Sequence, residues 1–180
     1  MSGTVLYHDI HEILGRNHYQ AHPSMSDEEL DGSDVLRLGD VMANREEYQE
    51  ADEWIGSVIN QLELSRSYSI REFLHLLGRE LSEIAHEDGI LTSAFKARIP
   101  VFCPDLPGSE IAIGIARAKF EKKVQIMFDT TQDTMEMSTI AQRTRHSGII
   151  SLGSASSQNI VNIAEMSSYI TRTTPRGHKY

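Results

Sequence analysis

Cysteine is almost missing from this chain: Cys103 is the only one in 180 residues, so no internal disulfide can form. A reducing compartment fits that usage. No apolar run approaches the ~18 residues a membrane-spanning helix needs, and the first residues lack the basic-then-apolar layout of a secretory leader. The expectation is a soluble, cytoplasmic protein with no membrane attachment. Basic charge is also scarce, with 17 Lys and Arg against 26 Asp and Glu and a net charge of −9. Phosphate backbones are bound by clustered cations, so nucleic acid is not an expected partner. The densest charge, in residues 27–34 and 45–53, is mainly acidic; it suits a solvated face and would also attract a basic protein or a polyamine. Several motifs are absent too: GxGxxG, a Walker sequence, a GxSxG elbow and HExxH spacing.

What is present has the composition of an ordinary globular domain, 39% hydrophobic and 24% charged. A chain of this length forms a single domain, residues 1–180, and buries roughly two-thirds of its unfolded surface. Residues 1–68 are expected to be a helical and loop part, 69–170 an alternation of strands and helices, and 171–180 a tail. Gly3–Leu6 is read as a strand end and Tyr7–Leu14 as helical turns closed by Gly15. Asn17–Asp34 has loop chemistry, with one helical turn at Asp27–Leu30. In Arg45–Leu64, the residues Tyr48, Ala51, Ile55, Val58 and Leu62 share one helical stripe. In Ile70–His86 the stripe is Ile70, Phe73, Leu74, Leu77, Leu81, Ile84 and Ala85. Ser69 and Glu72 have the spacing of a capping box, and Gly89 is read as the stop.

From Leu91 onward short apolar runs alternate with helical patterns. Ile99–Cys103, Val124–Phe128 and Gly148–Leu152 are each followed by a helix, over Ser109–Lys122, Thr131–His146 and Gln158–Ile170. Runs so short and uniformly apolar suit a parallel sheet buried on both faces. Successive strand–helix units imply right-handed crossovers, so the expected fold is α/β, a Rossmann-like parallel sheet flanked by helices.

Ligands of such sheets bind beyond the carboxyl ends of the strands. The loops there are residues 103–110, 129–133 and 153–158. Gly153, Ser154, Ala155 and Ser156 form a small polar loop opening into a helix, which would hold a phosphate or carboxylate or simply cap the helix. Glu110 and Asp133 fit either a ligand's cation or the first-turn acid that a helix dipole favours. Asp129 ends its strand at the same edge. The run His8-Asp9-Ile10-His11-Glu12, with His18 and His22 nearby, invites a metal reading; His8 and Glu12 share a helical face, but no third ligand is set by spacing, and surface or capping histidines are the other reading. Cys103 fits a small core residue better than a reactive thiol.

Taken in order, these segments resemble one family. Ile99-Pro100-Val101-Phe102-Cys103-Pro104 is similar to the I-P-V-F-x-P strand of deoxyhypusine synthases and their bacterial relatives. Phe128–Asp133 resembles the next strand and its acidic turn, and Ser147–Gly153 the strand leading to the family's L-G-G-G loop. Gly39–Tyr48 followed by Glu53-Trp54-Ile55 resembles the segment before the family's long helix, and Gly3–Leu14 the segment after its cofactor-binding strand. The likeness runs in order along essentially the whole chain.

The resemblance implies a deoxyhypusine synthase-like fold, incomplete relative to the family, and NAD-dependent transfer of an aminoalkyl group from spermidine or a related amine. In the family the group passes through a lysine imine to a lysine of translation initiation factor 5A. It also implies oligomers, with copies of this chain or with another deoxyhypusine synthase-like chain. Several family positions differ here. The Trp-Gly-Lys segment with the imine-forming lysine has no counterpart, Tyr7 and His8 stand at the paired glutamates, and Asn159 stands at a histidine. The glycine-rich loop reads Gly153-Ser154-Ala155. Carried over, Gly153, Ser154, Ala155, Ser156 and Asp129 would face NAD, and Ser109, Glu110 and Asn159 would face the amine. The function expected is a partial or split transferase subunit completed by another chain. The alternative is a non-catalytic scaffold or regulatory paralogue.

Overall fold

The computed structural model describes residues 1–22, 25–144, 146–150 and 155–167. Helix α1 spans Gly3–Ile13 and buries Gly3, Leu6, Tyr7, Ile10 and His11. Gly3–Leu6 is therefore the opening of a helix and not a strand end. The burial spacing of three and four residues runs unbroken from Gly3, which a period-two strand cannot match.

Four short elements follow: β1 (Tyr19–Gln20), α2 (Asp27–Leu30), β2 (Val35–Leu38) and β3 (Val41–Asn44). The strands make an antiparallel sheet in the order β1-β3-β2, with Tyr19 opposite Met42 and Leu36 opposite Ala43. Gly39, at φ 72°, and Asp40 turn the β2–β3 hairpin. This hairpin was not anticipated, although a Gly-Asp pair between two apolar runs is a hairpin signal.

Helix α3 (Arg45–Ile59) starts where Asn44 accepts from the amides of Glu46, at 2.8 Å, and Glu47, at 3.2 Å. Strand β4 (Ser67–Tyr68) leads into α4 (Ile70–Ile84), where the Ser69 hydroxyl accepts from Glu72 N at 3.0 Å, as its spacing predicted. Gly89 does not stop α4. It begins α5 (Ile90–Ala97), a helix absent from the sequence reading. The far end of α1 caps α5, because the Asp9 carboxylate accepts from Ile90 N at 3.0 and 2.9 Å.

The remaining elements are a 3-10 turn at Leu106–Gly108, α6 (Ile111–Lys122), β5 (Met127–Phe128), α7 (Thr130–Arg143) and α8 (Ala155–Met166). The core joins α1, α3, α4, α5 and α6. Leu6, Ile10, Ile55, Ile59, Phe73, Leu74, Leu77, Leu81 and Ile111 are completely buried, each contributing about 1.5–3 kcal/mol of transfer free energy. At Gly78 a Cβ would lie 2.5 Å from the Leu91 carbonyl oxygen, so α4 and α5 approach as closely as they do only because no side chain intervenes.

The α/β class holds, but its parallel sheet is small. Ser67 and Tyr68 of β4 pair in parallel with Met127 and Phe128 of β5, and Asp129 N continues the contact to Tyr68 O at 2.9 Å. This is the sole parallel ladder among the described residues. Of the three expected strands, only Val124–Phe128 contributes to it, and its partner is a segment not read as a strand. Ile99–Cys103 is extended without a ladder, yet still packs inward through Val101 and Cys103. Residues 148–150 are also unpaired, with Ile150 93% exposed; residues 151–152 lie outside those described. An apolar run sets which side chains seek burial, whereas a ladder needs a second strand from elsewhere in the chain. Among the described residues no helix is long and apolar enough to cross a membrane.

Candidate functional site

The parallel pair and the extended 99–103 segment deliver two of the expected loops to a common cleft of about 500 Å³. Cys103, Pro104 and Pro107 form one wall, Thr130, Asp133 and Thr134 of α7 a second, and Asn159, Ile160 and Ile163 of α8 a third, with Ile70 at the base. Asn159, expected near an amine, is exposed and lines this cleft. Asp133 is buried; its carboxylate accepts from Arg71 N at 3.1 and 3.3 Å and so ties α7 to the start of α4. Burial raises its pKa, against the lowering effect of that amide and of Ser69.

Asp129 is the N-cap of α7. Its Oδ1 accepts from the amides of Thr131, at 3.1 Å, and Gln132, at 3.3 Å, and from the Thr131 hydroxyl at 2.6 Å. The Thr131 hydroxyl is the main cause of its lowered pKa. Gly153 and Ser154 lie outside the described residues; Ala155 and Ser156 open α8.

Ser109 and Glu110 face elsewhere. Ser109 is buried, donates to Leu106 O at 2.8 Å and packs against Gly3, bracing the loop under α1. Asp105 holds the same junction: it accepts from Gly3 N at 3.0 Å and from the Cys103 thiol at 3.3 Å. Burial pushes the Cys103 thiol up to about 12, which makes it an inert core group.

Glu110 belongs to a second, polar cluster between α1 and α3. Its charge acts on Tyr7, His8 and Tyr48. Tyr7 shares its hydroxyl hydrogen between Asp52 Oδ1 and the Tyr48 carbonyl, each at 2.8 Å. Burial, followed by Asp52, drives the Tyr7 pKa far up, and burial likewise raises those of Tyr48 and Asp52. His8 Nδ1 lies 2.8 Å from His18 Nε2, and His18 Nδ1 lies 2.9 Å from Glu12 Oε1. The His11 ring stacks on Tyr48 and His18, with centroids 5.2 and 4.8 Å apart. Both His11 nitrogens, the Tyr48 hydroxyl and Glu110 Oε2 are buried without a hydrogen-bond partner among the described residues.

Of the residues that raise a metal reading, the run His8–Glu12 with His18 and His22, the side chains of His8, His18 and Glu12 form a hydrogen-bonded chain. No group of at least three His, Cys, Asp or Glu side chains among the described residues is placed to hold a metal ion. Tyr48 lies on the apolar stripe of α3 and so reads as helix core, and Asp52 lies in the acidic stretch 45–53, which reads as a solvated face, so neither stood out as a site residue.

The fold and site define an α/β domain with a ligand-sized cleft over the exits of its extended segments and a separate polar cluster between α1 and α3. Comparison with known proteins identifies the kind. The family model for deoxyhypusine synthase matches residues 1–180, and the chain belongs to the deoxyhypusine synthase family. It is 34% identical over 180 residues to the Methanosarcina mazei protein named probable deoxyhypusine synthase 2, covering 99% of this chain and 52% of that one. It is 27% identical over 175 residues to the deoxyhypusine synthase-like protein of Coxiella burnetii (strain Dugway 5J108-111), covering 96% and 49%. The chain thus spans about half the length of the curated relatives it matches. The crystal structure of a protein assigned as a deoxyhypusine synthase from Entamoeba histolytica shares the fold, with a TM-score of 0.57 at 20% identity over 63% of this chain and 40% of that one.

Proposed function

We propose that this chain is a subunit of a deoxyhypusine synthase-like, NAD-dependent aminoalkyl transferase whose active site another polypeptide chain completes. The observation that carries the reading is the convergence of loop 103–107, the start of α7 and α8 on one cleft, in a chain whose whole length matches the family model. The cleft is open and edged by apolar groups that a second chain would cover, such as Ile163, 42% exposed. Among the described residues no lysine lines it, and the imine-forming lysine would come from the completing chain.

The described residues suit NAD in part. Asp129 is exposed and accepts from Thr131 and Gln132 through Oδ1, and its Oδ2 would accept from ribose hydroxyls. The first turn of α8, with loop 153–156, would receive phosphate on its amides. When bound, NAD supplies the hydride acceptor; Asn159 would accept from the amine's N–H groups in the cleft, while Glu110 would offset charge on a part of the amine that reaches the polar cluster beside His8 and Tyr48.

Asn159, standing where the family has a histidine, favours a second reading, a regulatory or scaffold paralogue, because an amide cannot exchange a proton near neutrality. Mixing this chain with a lysine-bearing homologue, spermidine and NAD, and following NADH formation, separates the two. Turnover that requires this chain and falls in Asn159→Ala supports the first reading. Turnover by the homologue that is merely tuned by this chain supports the second. No effect on turnover, and no shift in melting temperature with NAD or spermidine, would count against both.

A further inference from the structure

The Glu12–His18–His8 chain has a consequence that spacing could not show. A carboxylate offers only lone pairs, so His18 must donate its Nδ1–H to Glu12 Oε1 across 2.9 Å. Neutral His18 then has a lone pair at Nε2 and can only accept there. The 2.8 Å contact therefore requires His8 to donate its Nδ1–H. With that proton assigned, neutral His8 must be unprotonated at Nε2. The arrangement resembles the carboxylate-oriented imidazole of nucleophilic triads, lengthened by one ring. Its two ends differ in environment: Glu12 is 62% exposed, whereas His8 is half-buried and within the field of Glu110.

We propose that Glu12, His18 and His8 form a relay that fixes the tautomer of His8, making its Nε2 the proton acceptor for an ammonium group of a ligand held beside Glu110 and Tyr48. The proposal rests on the amine-transferase reading above. In the step, R–NH3⁺ gives its proton to His8 Nε2, leaving a neutral R–NH2 and an imidazolium. The imidazolium keeps its Nδ1–H bond to His18, and the Glu110 carboxylate offsets its charge. No oxidant or further reactant enters. The Tyr48 hydroxyl and Glu110 Oε2, buried without partners among the described residues, supply polar groups for the same ligand. Burial, followed by His18, lowers the His8 pKa, and the charge of Glu110 acts in the opposite direction, favouring the imidazolium. His8 is the proton-accepting residue; His18 and Glu12 are positioning residues.

Long-range proton–nitrogen NMR on the 15N-labelled full chain at slightly alkaline pH reads the tautomer directly. His8 is expected to carry its proton on Nδ1. Its Nε2–H population should rise in His18→Phe, which keeps a packed ring but removes the acceptor. It should rise by a smaller amount in Glu12→Ala, an exposed position tolerant of change. A wild-type His8 protonated at Nε2, or a tautomer that neither variant moves, overturns the relay. With a completing chain and spermidine, His8→Gln is expected to lower kcat by about 10²–10⁴-fold. His18→Phe should lower it by about 10–100-fold and displace the acidic limb of the pH profile, which a purely structural role would leave in place. The NMR arm needs neither partner nor turnover. The relay can therefore hold while the transferase reading fails, and turnover with a wrong tautomer would sink the relay alone.

Discussion

His11 provides the sharpest test of the polar cluster. Its ring is fully buried against Tyr48 and His18, and neither nitrogen has a partner among the described residues. Burial first, then the neighbouring His18, lowers its pKa from 6.5 to about 4. The unfolded chain therefore binds a proton as the pH falls through about 6.5, while the folded chain does so only near 4. Across that window the unfolded state holds the extra proton, so acidification favours unfolding. The contribution of neutral His11 is fully present above the upper value and is lost progressively towards the lower. At about 1.4 kcal/mol per pH unit the gap is worth roughly 3 kcal/mol, or about 2 kcal/mol once screening by solvent at the neighbouring half-exposed groups is allowed for. For a chain of this size that is a fall in Tm of about 4–8 °C. His11→Phe keeps a planar ring, removes two unpaired buried nitrogens and cannot titrate. Urea unfolding between neutral and mildly acidic pH should show a shallower loss of stability in the variant, with stability at neutral pH equal to or above that of the parent. An unchanged pH slope in His11→Phe would refute the reasoning, since the acid sensitivity would then come from other groups.

Three further outcomes are expected. Asp9→Ala removes the carboxylate that accepts from Ile90 N and Leu91 N and should cost about 1–2 kcal/mol in chemical denaturation. Gly78→Ala places a Cβ 2.5 Å from the Leu91 carbonyl oxygen; despite the ~1 kcal/mol that helix propensity returns, its Tm should fall, and a rise would show that α4 and α5 can separate freely. Cys103, with its thiol pushed up to about 12, should resist iodoacetamide in the native state and react only on unfolding, as mass spectrometry would show.

Much of the helical content was legible because the signals are local. The stripes of α3 and α4 recur every three or four residues, and Ser69 is a cap a few atoms from the amide it serves, so propensity and geometry act within one turn of chain. The single cysteine, the acidic balance and the ordered family segments were likewise readable from the letters alone, and with them the family. Boundaries and sheet partners were not. Gly3–Leu6 is apolar enough for either state, and its helical form follows from a buried face shared with Tyr7, Ile10 and His11. Ser67–Tyr68 has no strand pattern of its own and became one by meeting Met127–Phe128.

The site divides in the same way. The residue types at the strand exits were visible in advance, yet only the folded chain put Asn159 and Asp133 on one cleft and turned Glu110 away towards Tyr48 and His8. The sequence alone determined the helical periodicities, the caps and the kinship, because backbone geometry encodes them over a few neighbouring residues. Tertiary structure alone decided which carboxylate is buried, which histidine has no hydrogen-bond partner among the described residues and which strands pair. Desolvation and hydrogen bonding there depend on groups that are distant in the chain and close only in space.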